Sequence, residues 1–538
     1  MSTSKMQGPS DERDAGYPPP LKAWTAVAIL SLTYMFSFMD RQILVLLIEP
    51  IKADLEITDT EVSLLTGFSF AVVYTLMGVP MGRVADLWVR KYVIIFGVAV
   101  WGLLTAACGL ARSFPQLFLA RMGVGFGEAA LTPVAYAIVA DLFPPHRLAR
   151  AMSVFALGGM AVGAGMSLIF GGLVIGFVTE VGTLTLPIIG DIRTWQAVLI
   201  IVGGLTLVML VPLSLMPEPP RHNADPKKTG SKAAGQSAKK MSGKAGGQPG
   251  GEDMSFRSVL KFIGRHKSFY GPFIIGMSVI NLYSYGAGAW APSYFIRVHG
   301  WDAASTGVTL GFLYIGPAVL GGLCSGWLSD YIFQKGYKPA PLLLKTVAVA
   351  SLVVLVPLFI MVPLMPLKLV LLVTVNFAIA VSTVLSPTII QFATPNRMRA
   401  QVSAIYLLVV NLIGLGFGPT AVALITDYVF GDTMAVGWSI MATAIVACGL
   451  GALLLYRALV PFSVQLEAVI GDKQGPAGPN PQDSEVEVLS DVPGNALSHI
   501  QPVGPANGPS GHASGDGPDS SVQARLPGAS PHLPSSKL

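Results

Sequence analysis

Four ionisable residues lie deep inside long apolar stretches of this chain. Asp40 and Arg41 stand in Ser37-Phe-Met39-Asp40-Arg41-Gln42, and Arg121 and Glu128 in Arg121-Met-Gly-Val-Gly125-Phe-Gly127-Glu128-Ala129. A charge in hydrocarbon costs at least about 2.5 to 3.5 kcal/mol on insertion scales, so its default reading is functional. Arg121 and Glu128 are seven apart, two helical turns along one face. At 1.5 Å per residue, Asp40 sits about 13 Å, Arg121 about 12 Å and Glu128 about 22 Å below the outer ends of their segments, so Asp40 and Arg121 can meet. A buried carboxylate takes or releases a proton according to whether an arginine is engaged beside it. Asp40 and Glu128 can therefore exchange protons as their pairing with Arg41 and Arg121 changes, which couples a proton to a change of shape. Two other roles remain open: a static ion-pair cluster joining two helices, or arginines that hold an anionic headgroup, since a guanidinium matches phosphate in bidentate fashion.

The elements that must position these groups are set by composition. Of 538 residues, 52% are hydrophobic and 12% charged, half the roughly one quarter carried by a soluble domain. Apolar runs fall near 22–49, 60–85, 91–111, 114–142, 150–178, 194–216, 268–298, 304–332, 341–363, 366–393, 400–428 and 434–459. Each can cross a hydrocarbon core of about 30 Å as a helix. Of the 35 Lys and Arg, 28 fall on one side of these spans, three of them assigned to the loop between spans eight and nine, while Lys52, Arg112, Arg193, Arg297 and Lys368 fall on the other. That bias places both termini in the cytoplasm. Residues 1–20 are polar and Pro-rich, so no removable signal peptide is expected and the first span anchors the chain. Cys108, Cys324 and Cys448 each lie in an apolar run without metal-type spacing and read as packing residues. The expectation is a multi-pass protein of the inner or plasma membrane.

Six spans, a basic loop and six more spans form an internal parallel repeat. Gly82-Arg-Val-Ala-Asp86-Leu-Trp-Val-Arg90-Lys91 returns as Gly326-Trp-Leu-Ser-Asp330 with Lys335 downstream; Pro145-His-Arg147-Leu-Ala-Arg150 returns as Pro395-Asn-Arg397-Met-Arg399. The organisation expected is a disordered N-terminus (1–21), a six-helix bundle (22–216), a basic linker (217–267), a second bundle (268–460) and a disordered tail (461–538).

A Gly-x-x-x-Asp run at a helix end followed by basic residues can latch one face: Gly82 admits a neighbouring helix and Asp86 accepts bonds from Arg90 or a helix N-terminus. Here the chain resembles the major facilitator superfamily, whose twelve helices form two six-helix bundles and whose signature loop reads Gly-x-x-x-Asp-Arg/Lys-x-Gly-Arg-Lys. The resemblance covers residues 20 to 460. Leu87 replaces the basic residue and Val89 the glycine. Within the superfamily the chain resembles the spinster family of lysolipid and sphingolipid carriers, on the Met39-Asp40-Arg41 run, the Arg121 to Ala129 run and Thr132-Pro133 … Ala140-Asp141-Leu-Phe-Pro144. Span five has Gly158-Gly159, Gly163 and Gly165 without the Gly-Pro pair of the superfamily's drug antiporters.

The resemblance implies an all-α membrane protein working by alternating access, and a substrate with a phosphate or zwitterionic head and one chain, such as sphingosine-1-phosphate or a lysophospholipid. A soluble organic anion suits the arginines equally well. Expected roles are proton coupling and gating at Asp40, Arg41, Arg121 and Glu128; a pathway lined by Tyr34, Tyr74, Tyr136, Asn281, Tyr285, Trp290, Tyr314, Asn376, Tyr406 and Asn411; and a cytoplasmic latch of Gly82, Asp86, Arg90, Lys91, Asp141, Asp330 and Lys335. Tyr283 and Tyr294 add polar contacts in span seven, and Gly286 and Gly288 would let it bend. An enzyme is not expected, since no His-Glu-x-x-His, Gly-x-Ser-x-Gly or Walker loop occurs; a sensor would carry an ordered extra domain. No metal, cofactor or nucleic-acid partner is expected, and the chain is expected to act as a monomer.

Overall fold

The structure is a computed structural model that describes residues 17–182, 184–186, 190–218, 256–395 and 397–474. Eleven helices among these are long and apolar enough to cross a membrane: Pro20–Leu46, Asp59–Leu87, Arg90–Cys108, Phe114–Leu142, His146–Val181, Thr194–Leu215, Ala303–Gln334, Ala340–Met361, Met365–Ala393, Arg399–Phe430 and Thr433–Val469. Lys267–His299, at 33 residues about 50 Å long, completes a set of twelve. Its cluster of Asn281, Tyr283, Ser284 and Tyr285 makes it the most polar of them. The expected all-α architecture is present, with one addition. A short antiparallel hairpin between spans five and six pairs Leu184 with Ile192 and Leu186 with Gly190.

Several helices are broken where the chain dictates. Span two starts at a capping box, Thr58 to Glu61, in which each residue satisfies the other's backbone donor. Span four breaks after Glu128, and wider turns interrupt spans two, five and eleven at Leu64–Phe68, Leu157–Val162 and Ile425–Phe430. Proline inside spans two and seven to twelve removes a backbone donor, with Pro387, Pro419 and Pro461 in spans ten, eleven and twelve.

Span three packs against both four and six, while seven, eleven and twelve pack together, as do nine, ten and twelve. The two halves meet along two seams, span five with eight and span two with eleven. The first seam is close enough that a Cβ on Gly165 would stand 2.7 Å from the Gly311 carbonyl oxygen. Small residues at helix contacts are how membrane helices gain packing when lipid is as apolar as Leu.

The linker and tail expectations differ from the structure at their edges. Residues 219–255 and 475–538 lie outside the described residues, as do 1–16. The linker's end is a helix, Phe256–Arg265, because Val259, Phe262 and Ile263 form one apolar face and Val259 is fully buried. The last helix continues to Gln474, since Phe462 and Leu466 are buried and Gln465 donates to the Ala393 carbonyl at 3.1 Å.

Candidate functional site

Spans one, three and four bring the four deep charges together in the first half. Asp40, Arg121 and Glu128 are all buried. Arg41 donates from Nε (2.9 Å) and Nη2 (2.5 Å) to one oxygen of Glu128. Ser37 Oγ donates to the same oxygen at 2.6 Å. Asp40 is held differently: Thr105 of span three donates to it at 2.5 Å. Asp40 Oδ1, Glu128 Oε1 and Arg121 Nε are buried without a hydrogen-bond partner, a costly state that marks groups waiting for one. Arg121 acts electrostatically on Asp40 without bonding to it: among the described residues Arg121 forms no ion pair, and it lies over the Phe70 ring at 5.6 Å.

Arg41 differs from its partner in access. Its side chain is 18% exposed against 0% for Glu128, and its guanidinium sits over Phe70 (4.5 Å), Tyr74 (4.8 Å) and Phe38 (5.3 Å). Cation–π contact holds the charge without consuming its hydrogen-bond donors. Tyr74 stacks on Phe70, while Tyr34 and Tyr136 both pack against Phe155. From the second half, Tyr285, 38% exposed, interacts electrostatically with Arg41 and Tyr74, and Tyr406 stacks on Phe273 at 5.7 Å. Asn281 and Asn376 donate within their own helices; Tyr314 and Asn411 are partly buried. Trp290 is buried and donates to the Pro419 carbonyl at 2.9 Å, which places it between spans seven and eleven.

The basic loop after span two does form contacts. Arg90 pairs with Asp141 and reaches the Ala137 carbonyl at 3.1 Å. Glu218, absent from the sequence expectations, accepts from the backbone amides of Arg90 (3.0 Å) and Lys91 (2.9 Å), and Lys91 Nζ donates to the Ser214 carbonyl. These bonds tie spans three, four and six of one half. A Cβ on Gly82 would stand an ordinary 3.7 Å from Pro133, so no close approach rests on that glycine. In the second copy Asp330 is exposed and Lys335 lies over Tyr331 at 4.4 Å.

The connection between the halves is at the opposite end. Arg297 of span seven makes two parallel hydrogen bonds to Asp59 of span two, at 2.7 and 2.8 Å, and a third to Glu49 at 2.8 Å. Lys52 also pairs with Asp59. Asp427 of span eleven accepts from the Thr60 amide (2.7 Å) and hydroxyl (2.6 Å). Arg297 with Asp59 and Glu49, Thr60 with Asp427, and Ser63 with Thr420 at 3.2 Å thus tie the two halves together at this outer end. The Thr58-Asp-Thr-Glu61 capping box was the legible signal for this gate, because it fixes where span two begins.

A second residue hidden from the sequence reading is Lys345. It was counted among the loop cations between spans eight and nine, yet it is fully buried and bonded to Ser382 and Ser386 of span ten. Lys368, counted on the outer side, is also buried and donates to the Tyr294 hydroxyl at 2.5 Å. Both long side chains turn inward from a helix end, which hydropathy cannot distinguish from snorkelling outward.

Twelve spans in two halves, tied together at the outer end and holding buried charges beside aromatic rings, are the build of a multi-pass membrane transporter. The profile of the Major Facilitator Superfamily matches residues 30–419, and the chain belongs to that family. It is 28% identical over 433 residues to an MFS-type efflux pump of Mycolicibacterium smegmatis, covering 80% of this chain and 90% of that one. It is 26% identical over 292 residues to human protein spinster homolog 3, about half of each chain, and 24% identical over 323 residues to a probable L-galactonate transporter of Escherichia coli, 59% of this chain and 63% of that one. Its fold is similar to that of a bacterial homolog of the human lysosomal transporter spinster, inward-facing and unoccupied, with a TM-score of 0.65, 22% identity and coverage of 86% and 100%.

Proposed function

We propose that this transporter is a proton-coupled carrier of an amphipath with an anionic or zwitterionic head and a single chain, such as a lysophospholipid or sphingosine-1-phosphate. The observation that carries the reading is the asymmetry of the Arg41–Glu128 pair. The Arg41 side chain is partly exposed and that of Glu128 is fully buried. An anionic head that takes Arg41 strips Glu128 of its counter-charge, and an uncompensated carboxylate in a low dielectric takes a proton. Anion and proton binding then favour each other by the same factor in both directions. The aromatic faces of Phe38, Phe70 and Tyr74 beside Arg41 suit a chain lying next to the head. Asp40, bonded to Thr105 and with one free oxygen, is the second proton site; Arg121, without an ion pair, is the charge that exchanges partners when the outer end opens.

A soluble organic anion is the second reading, supported by the likeness to the L-galactonate transporter. The test is uptake of labelled lysophosphatidylcholine, sphingosine-1-phosphate and a sugar acid into proteoliposomes with and without an imposed pH gradient. Gradient-dependent lipid flux lost in Glu128→Gln and Arg41→Ala supports the first reading. Sugar-acid flux alone supports the second, and gradient-independent flux of either sinks the proton coupling.

A further inference from the structure

The second half carries its own buried charge, and nothing described so far uses it. Lys345 is 0% exposed, donates to Ser386 Oγ at 2.6 Å and to the Ser382 carbonyl, and forms no ion pair among the described residues. Span ten presents only these serine groups to it. Span twelve, packed along span nine, carries buried Cys448; its Arg457 and Glu467 are exposed, and Glu467 pairs with Lys338 instead. On span eight, Asp330 is exposed. An ammonium without a counter-ion in this setting is the costly half of a buried pair, so the site is built for an amine that can give up its proton.

Ser386 Oγ in turn donates to the Ser382 carbonyl at 3.2 Å, and beyond it the Tyr406 hydroxyl of span eleven interacts electrostatically with Ser386 and Tyr285. Ser382 Oγ is buried without a partner beside this chain. We propose that Lys345 is a proton-carrying site of the second half, with Ser386 and Tyr406 as the route by which its proton leaves. Lys345 Nζ passes a proton to Ser386 Oγ, the serine's own proton turns from the Ser382 carbonyl to the Tyr406 oxygen, and Tyr406 releases its phenolic proton to water. Each oxygen gains one proton and loses one, and Lys345 is left a neutral amine. Its bonds also hold span nine to span ten one residue before Pro387. The proposal rests on the carrier reading but on neither the substrate nor the Asp40–Glu128 cluster.

The test reads the lysine itself. Full-length protein carrying ¹⁵N-lysine, in lipid nanodiscs, is followed by ¹⁵Nζ NMR across a pH series, with the Lys345 signal assigned by its loss in both Lys345→Met and Lys345→Arg. The expected result is a change from ammonium to amine at a pH where exposed Lys338 is still an ammonium, with proton exchange at Lys345 slowed in Tyr406→Phe. A Lys345 signal that stays ammonium until Lys338 titrates, or that is an amine throughout, overturns the proposal. Lys345→Arg keeps a fixed charge with similar reach, so its assignment survives if Lys345→Met does not fold. No substrate or flux enters the measurement, so its outcome is independent of the transport assays.

Discussion

Arg297 grips both oxygens of Asp59 across the outer seam, at 2.7 and 2.8 Å, with the Asp59 side chain fully enclosed and that of Arg297 only 6% exposed. This single contact joins the end of span seven to the first turn of span two. A third bond to Glu49 and the Trp290 ring 5.3 Å away fix the guanidinium on its other sides. The two halves cannot separate at the outer end unless these bonds break.

Arg297→Met leaves Asp59 buried with Lys52 as its remaining partner, and removing one member of a buried pair costs about 3–5 kcal/mol. The expected outcome is a population shift toward outward-open forms. Spin labels at Ala53→Cys and Tyr428→Cys, on the two sides of the seam, should report a longer and broader distance distribution than in the parent protein. An unchanged distribution would mean the gate is held by the helix seams alone.

The Arg41 fork is a matter of shape as well as charge. Arg41→Lys keeps the positive charge but cannot give two donors in a plane. Affinity for the anionic substrate should fall on the order of tenfold, equivalent to about 1.4 kcal/mol, with folding intact by size-exclusion profile. Glu128→Gln, which retains the acceptor for Ser37, should bind the same anion more tightly and lose the dependence of that affinity on pH. Isothermal titration at two pH values checks both.

Gly127 packs span four on span three so closely that a Cβ there would stand 2.7 Å from the Gly97 carbonyl oxygen and from the Trp101 amide. Gly127→Ala should destabilise by about 1–3 kcal/mol through overpacking and displace Glu128 next to it, lowering both melting temperature and flux. Gly78→Ala, where no atom lies within 4 Å, is the control. It should leave stability unchanged or raise it by up to about 1 kcal/mol, since alanine is the better helix former.

Asp302 caps span eight by accepting from the Ser305 amide at 2.8 Å. The Ser305 hydroxyl and then that amide hold its carboxyl below the usual carboxylate range. A carboxyl with a depressed folded value binds fewer protons than in the unfolded chain, so its stabilisation is present above the unfolded value and lost as pH falls through the folded one. Asp302→Ala should cost about 1 kcal/mol at neutral pH and little in strong acid. Thermal melts at the two pH values measure the difference.

Legibility differed among the residues for physical reasons. Asp40, Arg41, Arg121 and Glu128 stood out because a charge in an apolar run is costly to place; the loop motif pointed to Arg90 but as a partner of Asp86, whereas the structure pairs it with Asp141. Lys345 was missed because it is the sixth residue of its helix, where a long basic side chain can reach either water or the interior. Ser37, Thr105 and Phe70, which hold the charged groups, are ordinary residues whose role depends on neighbours far along the chain.

The sequence by itself determined the number of spans, their sidedness, the two-fold repeat and the set of deep charges, because each follows from local composition and from the energetic cost of exposing polar groups to lipid. Only the tertiary structure decided which charges meet. It pairs Arg41 with Glu128, gives Asp40 to Thr105, leaves Arg121 without an ion pair and sets Arg297 against Asp59, 238 residues away. Such pairings depend on helix rotation and on the seams between helices, which are set by packing of small residues from distant parts of the chain. A run of hydropathy carries no record of them.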